Sequence, residues 1–379
     1  MSTLKVNTIR HTGASSDAVT LATDGTCTAK ITNSLSNRNK IINGAQVVDQ
    51  RGLATEATPA HDAYLTDRWN AHLSQGSKYK VQQVTESPAG FTNSLKVTSL
   101  SAYTPVAADY FLINQYIEGY NMSDLGWGAV GAKTVTISFW VRSSVTGNYA
   151  LALRQPWNRA QNQSYTISSA DTWEKKSLTF TGDTSGTWNT TNGQGMSVGF
   201  ILGGGSNYEA TSGSWGAGSH FRFSGATNLV ATNAATFYVT GVQLEVGDVA
   251  TDFEHRSYGD ELARCQRYCY EHLLGANQYA SIMLGGYYNS SRIYGSIKFP
   301  VTMRTAPTMV CSDIADAFNC YRDGGVDFVN EFHIDSANNV GPNAAEILND
   351  TDASGTAGHA TIIRRGSNST TTFRFEAEL

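Results

Sequence analysis

Charge is scarce in this chain of 379 residues. Asp, Glu, Lys and Arg make up 16% of it, against about 25% in a typical soluble domain. Disorder requires high charge and few aromatics, and 11% of these residues are aromatic, so a largely disordered protein is excluded. Proline is scarce as well, at 7 residues against 36 glycines. The turns therefore fall to Gly, Asn and Asp, which tolerate positive φ. The Ala, Glu, Lys, Leu and Arg surplus of helical bundles is missing, and Gly, Ser, Thr, Asn and Tyr stand in its place, which excludes a mainly helical protein. No apolar run approaches the ~20 residues of a membrane span. The N-terminal MSTLKVNTIRHTG lacks the apolar core of a secretory signal, so folding in a cytosol is expected. A basic surplus is missing too: the net charge is -5, and neither a nucleic-acid nor a membrane partner is expected.

Catalytic signatures are equally sparse. The chain has no HExxH, GxSxG or GxxxxGK[ST], and Gly203-Gly204-Gly205 is followed by Ser-Asn-Tyr with no lysine to reach a phosphate. Glycoside cleavage needs two carboxylates at one bond. Asp109, Glu118, Asp124 and Glu209 lie near aromatic-rich segments and are the residues from which such a pair would come. The expectation is nevertheless a protein that is not an enzyme. Cysteine offers no metal framework. Cys27, Cys265, Cys269, Cys311 and Cys320 contain no CxxC pair, and the two that are four apart have only His272 nearby, so ordinary buried thiols are expected.

What is abundant is period-two apolar alternation. Residues 1–38 read as short strands. Leu4 and Val6, then Val19 and Leu21, lead to an Asp24-Gly25 hairpin turn followed by Cys27, Ala29 and Ile31. So short a segment cannot bury enough surface to fold alone and must pack against something. Residues 39–255 carry strands at 80–84, 94–100, 110–117, 134–144, 149–154, 176–181, 196–202 and 235–246, with Val135, Ile137, Phe139 and Val141 on one face. Closely spaced strands without helices between them predict an antiparallel sandwich. Over 257–274, Leu262, Cys265, Cys269 and Leu273 recur at helical spacing behind Asp260 and Glu261, which predicts a helix. Residues 276–379 return to strands and form a smaller β domain.

The 7 Trp residues divide by context. Trp69, Trp140 and Trp173 sit in or beside strands and are expected to anchor the core. Trp127, Trp157, Trp188 and Trp215 sit in Gly/Asn/Gln-rich stretches, as does Tyr208. Large aromatics displayed on loops are a binding signal, because water exclusion alone would bury them. Flat rings stack on the C–H faces of pyranoses while Asn, Gln and Asp bond the hydroxyls. These five are therefore the carbohydrate-binding candidates, against the alternative that their loops pack on themselves or on a neighbouring subunit. Tyr287, Tyr288 and Tyr294, in a Gly/Ser-rich stretch, make the terminal domain a second candidate contact.

Several segments carry a family resemblance. NKIINGAQVVDQRG (39–52), YLTDRW (64–69), TISFWVRSS (136–144) and, most specifically, FYVTGVQLEVGDVATDFEHRSYGDELARCQRYCYE (237–271) resemble a family of phage tail fibre and receptor-binding proteins. FPVTMRTAPT (299–308) and FEAEL (375–379) resemble the small β domain that ends such chains, and STLKVNTIRHTG resembles their virion-attachment start. The resemblance implies an all-β architecture. An N-terminal attachment and trimerisation segment (1–38) precedes a carbohydrate-binding-module-like, galactose-binding-like jelly roll (39–255), a connecting helix (256–275) and a C-terminal β domain (276–379). It implies a non-catalytic tail fibre of the virion, a homotrimer joined to other tail proteins through residues 1–38 and adhering to a host surface polysaccharide. A purely structural adaptor or decoration protein is the alternative, and a depolymerase the less favoured one. Related modules often hold a structural calcium between acids of the first and last strands. Here those stretches read Ala45–Asp49 and Val239–Val242: the last-strand acid is missing and Asp49 is displaced from the first-strand position, so no cofactor is expected.

Overall fold

The structure, a computed structural model, describes residues 5–23, 25, 27–29 (backbone only), 37–156, 158–273, 277–336, 339–367 and 371–379. Among the described residues the regular structure is almost entirely antiparallel strand, with one α-helix, as the alternation predicts. At the N-terminus β1 (Thr8–Ile9), β2 (Val19–Leu21) and β3 (Cys27–Ala29) pair into a small sheet with Leu21 opposite Cys27. Val6, Ile9 and Leu21 are exposed on it. Leu4, Asp24 and Ile31 lie outside the described residues.

The main body contains β4 (Trp69–Leu73), β5 (Tyr79–Val84), β6 (Ser94–Ser99), β7 (Tyr110–Glu118), β8 (Val135–Ser143), β9 (Gly147–Gln155), β10 (Arg159–Ile167), β11 (Glu174–Phe180), β12 (Gln194–Gly204), β13 (Gly216–Ala217) and β14 (Thr236–Val246). They form a six-stranded sheet, β13-β10-β9-β12-β7-β4, and a five-stranded sheet, β11-β8-β14-β6-β5. The two stack over one core. Val135, Ile137, Phe139 and Val141 of β8 are fully buried, and Phe139 meets Phe200 of β12 edge-to-face at 5.0 Å. Trp69 is buried in this core as expected, whereas Trp140 and Trp173 lie half-buried on its outside. A bulge in β14 between Thr240 and Gln243 requires Gly241 at φ 61, and a Cβ there would come within 2.6 Å of Phe91.

The six-stranded sheet is buried on its outer face too. Leu112, Ala150, Ala152 and Ile201 point away from the main core and pack under Phe221 and Ala226. The segment from Gly205 to Ala226 lies over them. Asn162 of β10 donates to the carbonyls of His220 and Arg222 and accepts from the Gly213 amide. β10, with its polar sequence RAQNQSYTI, escapes the alternation search because Gln161 and Gln163 share a face with the core residues Tyr165 and Ile167.

The helix α1 (Tyr258–Gln266) is shorter than its periodicity predicts. Ser257 caps it, accepting from the Asp260 amide at 3.2 Å. Beyond Arg267 and Tyr268 the chain becomes β15 (Cys269–Glu271), which pairs with the C-terminal strand, so the helix predicted to Leu274 ends eight residues sooner by position, at Gln266. Cys269 and Leu273 are buried as expected, but in the terminal unit: tertiary pairing overrides helical spacing.

The terminal unit continues with β16 (Ser281–Asn289), β17 (Arg292–Lys298), β18 (Thr308–Cys311), β19 (Phe318–Arg322), β20 (Gly325–Val329), β21 (His333–Ile334), β22 (Ala344–Asn349), β23 (Ala360–Arg365) and β24 (Phe373–Glu376). A seven-stranded sheet, β20-β19-β23-β16-β17-β22-β21, packs on the three-stranded β15-β24-β18 around Phe318, Phe332, Phe373 and Phe375. A buried polar joint holds this unit to the sandwich. Arg267 donates to both oxygens of Glu118 at 2.9 and 2.6 Å, Tyr268 donates to Glu118 at 2.6 Å, and Arg68 pairs with Glu378.

Candidate functional site

Three of the predicted loop aromatics meet one another. Trp127, Trp188 and Trp215 form a triangle of edge-to-face contacts at 4.8, 5.3 and 5.5 Å. Each indole N–H donates inward, Trp127 to Lys133 O, Trp188 to Ser185 O and Trp215 to Thr181 O. Trp127 and Trp188 are only 7% and 6% exposed and belong to the main core. The expectation that these two rings are displayed outward is therefore corrected: their loops pack on each other, and only Trp215 stays half-exposed. Trp157 lies outside the described residues.

Tyr208, the fifth candidate, is half-buried and belongs to a different constellation. Its ring stacks on Phe221 at 4.6 Å and meets Tyr110 of β7 edge-on at 5.5 Å. Tyr110 in turn stacks on His72 of β4 at 4.8 Å, and His72 lies 5.0 Å from His61. At the other end the Arg154 guanidinium of β9 sits 5.5 Å from the Phe221 ring. A row of rings thus crosses the outer face of the six-stranded sheet from its β4 edge toward β9.

Beside this row lies a set of polar side chains that strand alternation directs to the same face. They are Asn70 and His72 of β4, Asn114 and Tyr116 of β7, Arg154 of β9 and Ser197 of β12. A small cleft is lined by Tyr116, Arg154, Gln155, Pro156, Gln194 and Ser197. Arg154 donates to Asn114 Oδ1 at 3.1 Å, and Asn70 and Asn114 lie beside the Tyr116 phenol. Yet both amide atoms of Asn70, Nδ2 of Asn114 and Nε of Arg154 are buried without a well-formed hydrogen bond. Burial lowers the Arg154 pKa, against the partial compensation of Tyr116, Asp62 and Tyr110. Unsatisfied groups of this kind are costly to hold and call for an explanation. The arrangement presents donors and acceptors beneath half-exposed tyrosines, which is a chemistry suited to a neutral, hydroxyl-rich ligand.

His61 and Asp62 close the β4 end. His72 Nδ1 lies 2.6 Å from Asp62 Oδ1, and His61 Nε2 lies 3.0 Å from Asp62 Oδ2. Burial raises the Asp62 carboxyl, but the hydrogen bond and charge of His72, with His61 and Arg154, outweigh it and hold the group below its ordinary range. Burial lowers the His72 imidazole despite Asp62. Sequence reasoning did not find this face. The signal was present in 69–73, where Trp69, Ala71 and Leu73 alternate with Asn70 and His72.

The four candidate acids are engaged elsewhere. Asp109 accepts from Tyr103, Ser74, Gln75 and the Val106 amide; Glu118 lies in the interdomain joint; Asp124 pairs with Lys40 at 2.7 Å and Glu209 with Arg222 at 3.0 Å. The calcium position does not fit either. Asp49 caps its own turn, accepting from the Arg51 and Ala54 amides, and the stretch Val239–Val242 carries no acid. In the terminal unit Tyr287 is buried and bonded to Asp327, whereas Tyr288 is 71% exposed and meets Tyr294 edge-on at 5.8 Å.

No family model and no curated protein matches the chain. Among solved structures, the enzymatically active domain of bacteriophage CBA120 tailspike protein 4 aligns at 11% identity over 55% of this chain and 22% of its own, with a TM-score of 0.31. A putative sugar-binding protein from Bacteroides thetaiotaomicron aligns at 10% identity over 55% of this chain and 100% of its own, TM-score 0.33. TmCBM61 in complex with β-1,4-galactotriose aligns at 9% identity over 55% and 99%, TM-score 0.29. This chain thus spans about a fifth of the tailspike chain and the whole of the two smaller modules.

Proposed function

We propose that this protein is a phage tail-fibre component that adheres to a host surface polysaccharide through the outer face of its six-stranded sheet, without cleaving the glycan. The observation that carries the reading is the row of half-exposed tyrosines, Tyr110, Tyr116 and Tyr208, beside a small polar cleft that Arg154, Gln155, Gln194 and Ser197 line. Sugar hydroxyls both donate and accept, so they match the Tyr116 phenol and the polar rim of that cleft where an apolar ligand leaves these groups unbonded. Tyr110 and Tyr208 supply ring area next to them. The absence of cleavage is supported by the engagement of Asp109, Glu118, Asp124 and Glu209 in structural bonds. The attachment role of residues 1–38 and a homotrimer belong to the same reading. Three copies of a weak site linked in one particle gain about 10²–10⁴ in avidity.

The test is a glycan array probed with the purified protein, followed by titration of the best glycan with wild type and with Tyr116→Ala. Binding that falls at least tenfold in the variant, with no new reducing ends released, supports the proposal. An array without binders, or binding indifferent to Tyr116, rejects it. One observation favours the purely structural alternative: the Trp127, Trp188 and Trp215 rings serve packing rather than display.

A further inference from the structure

We propose that His61, Asp62 and His72 form a binding site for a divalent transition-metal ion, with Zn²⁺ the best match to the donor set. The proposal does not rest on the glycan reading. Its foundation is the convergence of two imidazoles and a carboxylate at the β4 end of the sheet. His61 Nδ1 lies 2.9 Å from the Leu73 carbonyl, which can only accept. Nδ1 therefore donates there, which leaves Nε2 as the ring atom directed at Asp62. It lies 3.0 Å from Asp62 Oδ2. The second oxygen of the same carboxylate, Oδ1, lies 2.6 Å from His72 Nδ1. Two imidazoles and a carboxylate thus aim three donor atoms at one place, all within 4.8 Å of one another.

The surroundings are those of a preset site. The Leu73 carbonyl fixes the His61 tautomer, as second-sphere carbonyls do for metal-bound histidines. The Tyr110 ring stacks on His72 and holds its plane. Asp62 adopts φ 57, and its turn is clipped to β4 by Asp62 N–H to Ala71 O at 2.8 Å and Ala71 N–H to Ala63 O at 2.9 Å. These bonds place the carboxylate over His72. Tetrahedral zinc with bonds of about 2.0–2.1 Å sets its ligand atoms about 3.3 Å apart. The donor atoms lie within 4.8 Å of one another and reach that geometry by side-chain adjustment, the exposed His61 ring closing and the 2.6 Å contact of His72 with Asp62 opening. Binding moves the His72 ring proton to Nε2, so Nδ1 becomes a ligand. His61 and Asp62 side chains are 49% and 47% exposed, so the remaining coordination position faces water. Imidazole donors favour Zn²⁺, Cu²⁺ or Ni²⁺ over Ca²⁺ and Mg²⁺, which take oxygen ligands.

The experiment is calorimetric titration of the full, untagged chain with ZnCl₂, repeated with CaCl₂, and X-ray absorption spectroscopy at the zinc edge of the one-to-one complex. One zinc per chain is expected, with two imidazoles and a carboxylate oxygen in its first shell and no comparable calcium binding. His61→Ala and Asp62→Asn, both at exposed positions that leave the fold intact by circular dichroism, are expected to weaken zinc at least tenfold. His72→Ala removes a buried ring, so His72→Gln, which keeps a polar group under Tyr110, is the second reading at that position and is expected to weaken zinc equally. Zinc binding that survives His61→Ala and Asp62→Asn unchanged overturns the proposal. So does a zinc shell containing sulfur, which would place the ion on cysteines instead, and so does the lack of stoichiometric binding.

Discussion

The Arg68 guanidinium lies 3.6 Å from the centre of the Tyr268 ring, in a position from which almost no solvent reaches either group. Arg68 precedes the edge strand of the sandwich, and Tyr268 follows the helix at the entry to the terminal unit. The same guanidinium pairs with Glu378 and donates to the Tyr116 carbonyl at 2.6 Å, while Tyr268 donates to Glu118. One stacked pair thus ties a sandwich edge, a connecting helix and the C-terminal strand into a single body, and the Tyr116 that borders the proposed glycan face hangs from it.

Breaking one partner of such a buried charge pair leaves the other uncompensated, at a cost of about 3–5 kcal/mol. Arg68→Ala is therefore expected to lower the melting temperature sharply and to separate unfolding of the terminal unit from that of the sandwich. Differential scanning calorimetry checks this. A variant that melts like wild type would falsify the role given to the pair. Substitution of the exposed Arg10, which pairs loosely with Asp17 at 3.7 Å, is the control and is expected to change little.

The joint also predicts a pH dependence. Burial raises the Glu118 carboxyl, but hydrogen bonds from Arg267 and Tyr268 and the charges of Arg267 and Arg304 outweigh it, holding the group below its ordinary value of 4.5. The folded value lies below the unfolded one, so this stabilisation is fully present above 4.5 and is lost as pH falls through the folded value. Wild type is expected to lose melting temperature between about pH 5 and pH 3 more steeply than Glu118→Gln, which no longer titrates there. Parallel profiles count against it.

The thiols are expected to be inert. Burial pushes the Cys265 and Cys269 thiols well above their ordinary range, pushes Cys311 up to about 12, and raises Cys320 further. Reactivity belongs to the thiolate. In a Cys27→Ser background, a thiol-labelling reagent at pH 8 is expected to leave the folded protein untouched for hours and to modify all four groups in denaturant. Rapid labelling of even one in the folded state rejects the burial argument.

How far these features could be read in advance depends on what covers each residue. β8 was legible because its core residues Val135, Ile137, Phe139 and Val141 alternate with Thr136, Ser138, Trp140 and Arg142, which keep the apolar run on one face. β10 was not, because Gln161 and Gln163 occupy the face that carries the core residues Tyr165 and Ile167, and polar residues there erase the alternation. The helix was legible at its Ser257 start, where a cap acts locally. Its end was not, because pairing of Cys269 with Glu376 is a contact across the whole second unit. For the site, glycine-rich context marks Trp127 and Trp188 as loop residues correctly but says nothing of whether two loops meet. His61, Asp62 and His72 converge only because the turn at 61–63 folds back on β4, a register no local pattern states.

The two aromatic groups give opposite predictions, and together they separate packing from recognition. Trp188 lies in the core, its ring closing on Trp127 and Trp215, so Trp188→Ala removes a large buried side chain and is expected to cost about 3–5 kcal/mol. Any glycan affinity measured well below the lowered melting temperature is expected to stay within twofold, since the triangle is distinct from the row of rings on the outer face. Tyr116 is half-exposed beside Asn70, Asn114 and Arg154, so Tyr116→Ala is expected to leave the melting temperature within a few degrees while affinity falls tenfold or more, about 1.4 kcal/mol per decade. Arg154→Met keeps the stem against Phe221 and removes the donors, and it is expected to act on affinity in the same direction. If instead Trp188→Ala abolishes binding in protein that is still folded, and Tyr116→Ala and Arg154→Met bind normally, the saccharide sits at the tryptophans and the outer-face assignment is wrong.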